Sequence, residues 1–93
     1  MEDAEALVLV DVNTRFRKLQ EARALLRINE LGQETEREKL RVISNRYSQK
    51  AVLLDDVLEA QAAVAQSAHQ YRQALATFWT VKADFERAVG GDQ

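Results

Sequence analysis

The sequence predicts an all-α chain folded as a long antiparallel helical hairpin of the coiled-coil kind. Three observations carry this. The 93 residues contain no proline and only three glycines, Gly32, Gly90 and Gly91, and short β-branched runs between turn clusters are missing. Apolar residues recur at steps of seven along two stretches, as the seams of a coiled coil do. Charges sort by sign around residues 48–52, with cations before and anions after, as two helix ends require. The expected organisation is one hairpin region over 1–93, with a helix at about 4–47, a tip at about 48–52 and a helix at about 53–89.

In the first helix, Val12, Leu19, Leu26, Gln33, Leu40 and Tyr47 form one row at steps of seven. The row three residues on is mostly polar: Arg15, Ala22, Asn29, Glu36 and Ile43. This predicts a narrow apolar stripe with the other sides wetted.

The second helix is richer. Val57, Val64, Tyr71, Phe78 and Phe85 form an unbroken row, and Leu54, Ala68, Leu75 and Val89 share a row with Gln61 and Lys82. These two rows are expected to be its a/d seams. A third row, Ala60, Ser67, Ala74, Val81 and Ala88, is mostly small and widens the apolar face. So wide a face predicts packing against more than one neighbour, with apolar surface left uncovered by the first helix alone.

The turn rests on charge. Arg41, Arg46 and Lys50 precede it, and Asp55, Asp56 and Glu59 follow it. Cations suit a helix C-terminus and anions an N-terminus, each contributing about 0.3–1 kcal/mol when exposed. Periodicity alone also accepts one continuous helix on the order of 120 Å long. A three-helix bundle is the other alternative, with Gly32 ending a helix and Thr35-Glu36-Arg37-Glu38 spaced as a capping box for the next.

Several function classes are disfavoured. Thirteen basic and fifteen acidic residues give a net charge of −2, and the basic residues are interleaved with glutamates, unlike the basic face of a nucleic-acid module. There is no cysteine, hence no disulfide or thiolate metal site. The chain has no nucleophile–base set, no glycine-rich phosphate loop and no carboxylate pair held in a cleft, so no enzyme and no cofactor is expected. Asp55, Asp56 and Glu59 read more simply as helix N-terminal acids than as metal ligands. His69 reads as a lone surface histidine, and Trp79 as partly buried against another helix.

Arg46-Tyr47-Ser48-Gln49-Lys50-Ala51-Val52-Leu53-Leu54-Asp55-Asp56-Val57-Leu58-Glu59-Ala60-Gln61 resembles the hairpin tip of the TolC-like outer-membrane efflux proteins. The family pattern runs Arg-Tyr, two variable residues, Gly, three more, then Leu-Leu-Asp-Val-Leu-Asp/Glu-Ala-Gln. The likeness extends collinearly from about Val8 to Gly90, through Tyr71-Arg72-Gln73-Ala74-Leu75-Ala76 and Ala88-Val89-Gly90. It implies a non-enzymatic segment of an efflux conduit, one hairpin of a hollow helical barrel crossing the periplasm. Ser48, Gln49, Lys50, Ala51 and Val52 would be the tip that contacts a periplasmic adaptor (membrane fusion) protein, itself coupled to an inner-membrane pump. Asp56 and Glu59 would place carboxylates near the lumen entrance. Other helices of the same conduit would be neighbours, with a homotrimer in the full-length family and no nucleic acid. Lys50 departs from the pattern, standing where the family usually has Gly.

The resemblance implies the periplasmic side of the outer membrane. Met1-Glu2-Asp3-Ala4-Glu5 lacks the basic and apolar regions of a signal peptide, so the conduit reading expects a larger protein and a complete 93-residue product would be cytoplasmic. The alternative function is a soluble coiled-coil interaction or scaffold protein with no transport role.

Overall fold

A computed structural model describes residues 2–90, and the side chains of 4–90. The fold is an all-helical hairpin of α1 (Glu2–Ser48) and α2 (Leu54–Gly90). Residues 49–53 leave the helical path, which excludes one continuous helix. The three-helix bundle is also excluded, because α1 runs unbroken through Gly32. Thr35 does not cap a new helix there: its hydroxyl donates back to the Leu31 carbonyl at 2.9 Å, inside α1. A single interior glycine costs about 1 kcal/mol relative to alanine, too little to break a helix of 47 residues.

The chain packs as two compact units, Met1–Leu26 with Ala74–Gln93, and Arg27–Gln73. In the first, the base unit, Leu19, Ala22 and Ala74 are buried. The Phe16 and Phe85 rings meet with centroids 5.7 Å apart, tilted by 49°. Arg15 donates through Nε to the Asp11 carboxylate at 3.0 Å and reaches Asp84 of α2 at 3.5 Å. The Arg23 guanidinium stands 5.9 Å from the Phe78 ring centre. Trp79 is 55% exposed, covered in part by Lys82, whose Nζ lies 4.8 Å from the ring centre, and by the edge of Phe78. The expectation that it packs against another helix is not met within this chain.

In the second, the tip unit, Val57 and Ser67 are buried. The Ser67 hydroxyl donates to the Val64 carbonyl at 2.8 Å, so it is satisfied within its own turn. Leu40, Ile43, Ala60 and Val64 are half-buried around them.

The buried face of α2 is wider than an a/d pair and is centred between the Val57 and Ala60 rows. In the tip unit the Val57 and Ala60 rows turn inward, while Leu54 and Gln61 stay exposed and Ala68 is half-buried. In the base unit Ala74 is buried and Leu75, Phe78, Val81, Lys82 and Phe85 are half-buried, while Val89 is exposed. The inward face therefore takes in the Val57 and Ala60 rows along their length and the Leu54 row at Ala68, Leu75 and Lys82. Small side chains at 60, 67 and 74 let a facing backbone come close, and close approach gains dispersion contact that a gap would forfeit. On α1 the partly polar row turns inward too, with Ala22 buried and Arg15, Asn29, Glu36 and Ile43 half-buried.

No large side chain among the described residues is fully buried. Leu25, Ile28 and Leu31 of α1 stay exposed, as do Leu58 and Trp79 of α2. Uncovered apolar surface was expected on α2 and is present on both helices.

Candidate functional site

The site with the most specific local construction is the hairpin tip. Arg46 lies in the last turn of α1, and Asp55 and Asp56 in the first turn of α2. Each charge opposes the partial charge of its helix end.

The end of α1 is a Schellman cap. The Lys50 N–H donates to the Tyr47 carbonyl at 2.9 Å, and the Ala51 N–H donates to the Arg46 carbonyl at 2.8 Å. These are the two bonds that close a helix around a left-handed residue. The Gln49 N–H is shared between the Asn45 and Arg46 carbonyls at 3.2 and 3.1 Å, and the Ser48 hydroxyl donates to the Asn45 carbonyl at 2.7 Å. The left-handed residue is Lys50, with φ of 62°, a region that favours glycine and costs a residue with a Cβ about 1–2 kcal/mol.

The start of α2 is capped from one side only. Asp56 sits three residues after Leu53, and its carboxylate accepts the Leu53 N–H at 3.1 Å while its own N–H donates to the Leu53 carbonyl at 3.1 Å. This is half of a capping box. The other half needs a side-chain oxygen at Leu53, and leucine has none.

Of the residues singled out from sequence, Ser48 closes α1 rather than lying in the turn, and Gln49, Lys50, Ala51 and Val52 form the turn with Leu53. Lys50 and Ala51 are exposed and Val52 is half-buried. Asp56 is half-buried and occupied by the cap, whereas Glu59 is exposed on the next turn. Among the described residues no cluster of acids and histidine could hold a metal ion, and His69 is exposed.

Sequence reasoning missed the apolar character of the tip. Tyr47, assigned to a core row, is 43% exposed, Leu54 is 51% exposed and Leu53 is 72% exposed. They line a shallow open hollow with Ser48, Lys50 and Val52. The signal was present as Leu53-Leu54 directly after the turn, where the first helix has already ended. No protein-family model, curated protein or solved structure matches the chain.

Proposed function

We propose that this chain is a non-enzymatic hairpin segment of a TolC-like outer-membrane efflux conduit, contributing barrel wall and the tip that docks a periplasmic adaptor protein. The observation that carries the reading is the backbone of Lys50. Its φ of 62° falls at the one position of the resembled tip pattern where the family usually has Gly. Pattern and backbone thus ask for the same conformation at the same residue.

A second feature supports a tip kept for contact rather than for local stability. Leucine at the capping position and lysine at a positive φ each break a local rule within one turn, and such conflicts concentrate at functional sites. The exposed Tyr47, Leu53 and Leu54 give a partner helix apolar purchase, and Lys50 gives it a positive charge to recognise. In a conduit, oligomeric symmetry would gather Asp56 and Glu59 into rings, a negative focus that draws cations to the entrance.

The test is transplantation. The tip hairpin of a TolC-like conduit is replaced by residues 44–61 of this chain, and drug resistance is measured in cells lacking their own conduit. Restored resistance that is lost again with Lys50→Pro supports the reading. A transplanted protein that assembles in the outer membrane at normal levels yet restores nothing with any adaptor sinks it, and leaves the soluble scaffold.

A further inference from the structure

We infer that the hairpin opens at residues 49–53 into one continuous helix, and that two opened copies of this chain pair antiparallel. Each α1 then lies on the α2 of the other copy, with the two-fold axis beside Lys50. The partner is a second copy, and the inference goes beyond the conduit reading without resting on it.

The first observation is a turn that its own sequence does not require. Residues 33–89 contain no glycine and no proline, so neither a missing Cβ nor a missing N–H opposes a helical path there. The turn is held at a cost instead. Lys50 sits at φ of 62°, and Leu53 offers the first turn of α2 no side-chain oxygen. In a continuous helix Lys50 would return to negative φ, and residues 49–53 would add their own bonds to the ladder. Short strained hinges are where copies of a chain exchange elements.

The second observation is register. Within the tip unit Asn29, Glu36 and Ile43 of α1 are half-buried, and at the same steps of seven Val57 of α2 is buried and Val64 and Tyr71 are half-buried. One row therefore faces inward on both helices, and Lys50 is its member in the turn. A hairpin does not need this agreement, because its turn sets the phase of α2 independently. A continuous helix on an antiparallel copy does need it, since one side must meet the partner from end to end. The second inward row changes from that of Gln33 and Leu40 on α1 to that of Ala60 and Ser67 on α2. The inward pair thus moves by one row about a shared one, which a continuous helix absorbs by local overwinding near the axis.

The third observation selects the occupant. Tyr47 follows Leu40 by seven residues in the first of those rows, and Leu53 precedes Ala60 by seven in the second. Both are exposed, and with Leu54 they line the open hollow at the tip. They are the places where each inward row runs past the end of its partner helix. A two-fold axis beside Lys50 sets Tyr47 of each copy on Leu53 and Leu54 of the other, so the seam continues through the turn and the same patch closes on itself. Lys50 opposes the pairing, because the two ammonium groups meet near the axis. A polar residue in a seam selects between states at a cost in stability, and here it balances the closed hairpin against the open dimer.

The full chain is unfolded in urea, refolded at about 1 to about 500 µM and sedimented, so that mass action and not the rate of opening sets the populations. The expected result is a monomer at the low end and a dimer at the high end. Lys50→Gly should raise the dimer Kd about tenfold or more, since the closed turn loses its strain and the open helix gains a poor helix former. Lys50→Leu should lower it about tenfold or more, because an apolar pair replaces two like charges while the closed turn stays strained. Circular dichroism checks that each variant stays helical. Spin labels on Arg17→Cys with Glu86→Cys in one chain, diluted with unlabelled protein, separate the swap from closed hairpins packed side by side. In the monomer the two labels should lie about 10–25 Å apart, the spacing of packed helices plus label reach, and in the dimer about 100 Å apart, along one helix. A monomer at every concentration overturns the proposal, as does a dimer whose Kd ignores both Lys50 substitutions. A dimer in which the two labels stay close also overturns it, and assigns association to the outer faces of closed hairpins.

Discussion

The Asp56 carboxylate accepts the Leu53 N–H at 3.1 Å, while Leu53 has no side-chain oxygen to return a bond to the first turn of α2. The start of α2 is therefore held by one residue where two could hold it. Leu53→Ser should stabilise the hairpin by about 1 kcal/mol, the usual worth of a polar cap. Asp56→Ala should destabilise it by about 0.5–1 kcal/mol, since a charge-assisted bond and a favourable dipole contact both go. Urea unfolding of the two single variants and the double variant checks the pair, and a Leu53→Ser variant no more stable than the parent would refute the one-sided cap.

Lys50 supplies the second tip prediction. Lys50→Gly should stabilise the fold by about 1 kcal/mol, because relief of the positive-φ strain outweighs the extra chain entropy glycine brings to the unfolded state. Lys50→Val should destabilise it by more than that, since a β-branched residue tolerates this backbone least. Thermal unfolding of both variants, at fixed protein concentration, decides the matter.

Gly32 lies within α1, and a Cβ built on it would meet no atom within 4 Å. Gly32→Ala should therefore stabilise by up to about 1 kcal/mol from helix propensity alone. Hydrogen exchange should slow at amides on both sides of position 32. A destabilised Gly32→Ala variant would mean that α1 is broken there.

The Arg41 guanidinium, hydrogen-bonded to Glu38 at 2.6–3.2 Å, holds the Glu38 carboxyl below its ordinary range and is itself pushed up. A depressed carboxyl contributes stability that is fully present above its unfolded value and is lost as pH falls through its folded value. The window is thus the acid limb, below about pH 4.5. Both groups are exposed, so the effect is small and screened by salt. Carbon-detected NMR titration of Glu38 should give a midpoint below that of Glu38 in the Arg41→Gln variant, and equal midpoints would show that the pair does not form in solution.

Much of the fold is legible in the sequence because it depends on local properties. The lack of proline, the rows at steps of seven and the opposite charges of Arg46 and Asp55 each act within a turn or two, and together they place two helices and a break between them. The tip was legible only in part. Lys50 stood out as the residue at the expected glycine position, but the exposed Tyr47, Leu53 and Leu54 did not, because a heptad row says nothing of where its partner helix stops.

What the sequence determined by itself is therefore the helical state of the chain and the number of rows able to face a neighbour, with the charges around residues 48–52 pointing to a turn that periodicity did not require. What only the tertiary structure decided is which rows do so. The Val57 and Ala60 rows turn inward along their length and the Leu54 row only at Ala68, Leu75 and Lys82, because Ala60, Ser67 and Ala74 admit a close backbone. That choice depends on the distance between helices, a quantity that periodicity along one helix does not contain.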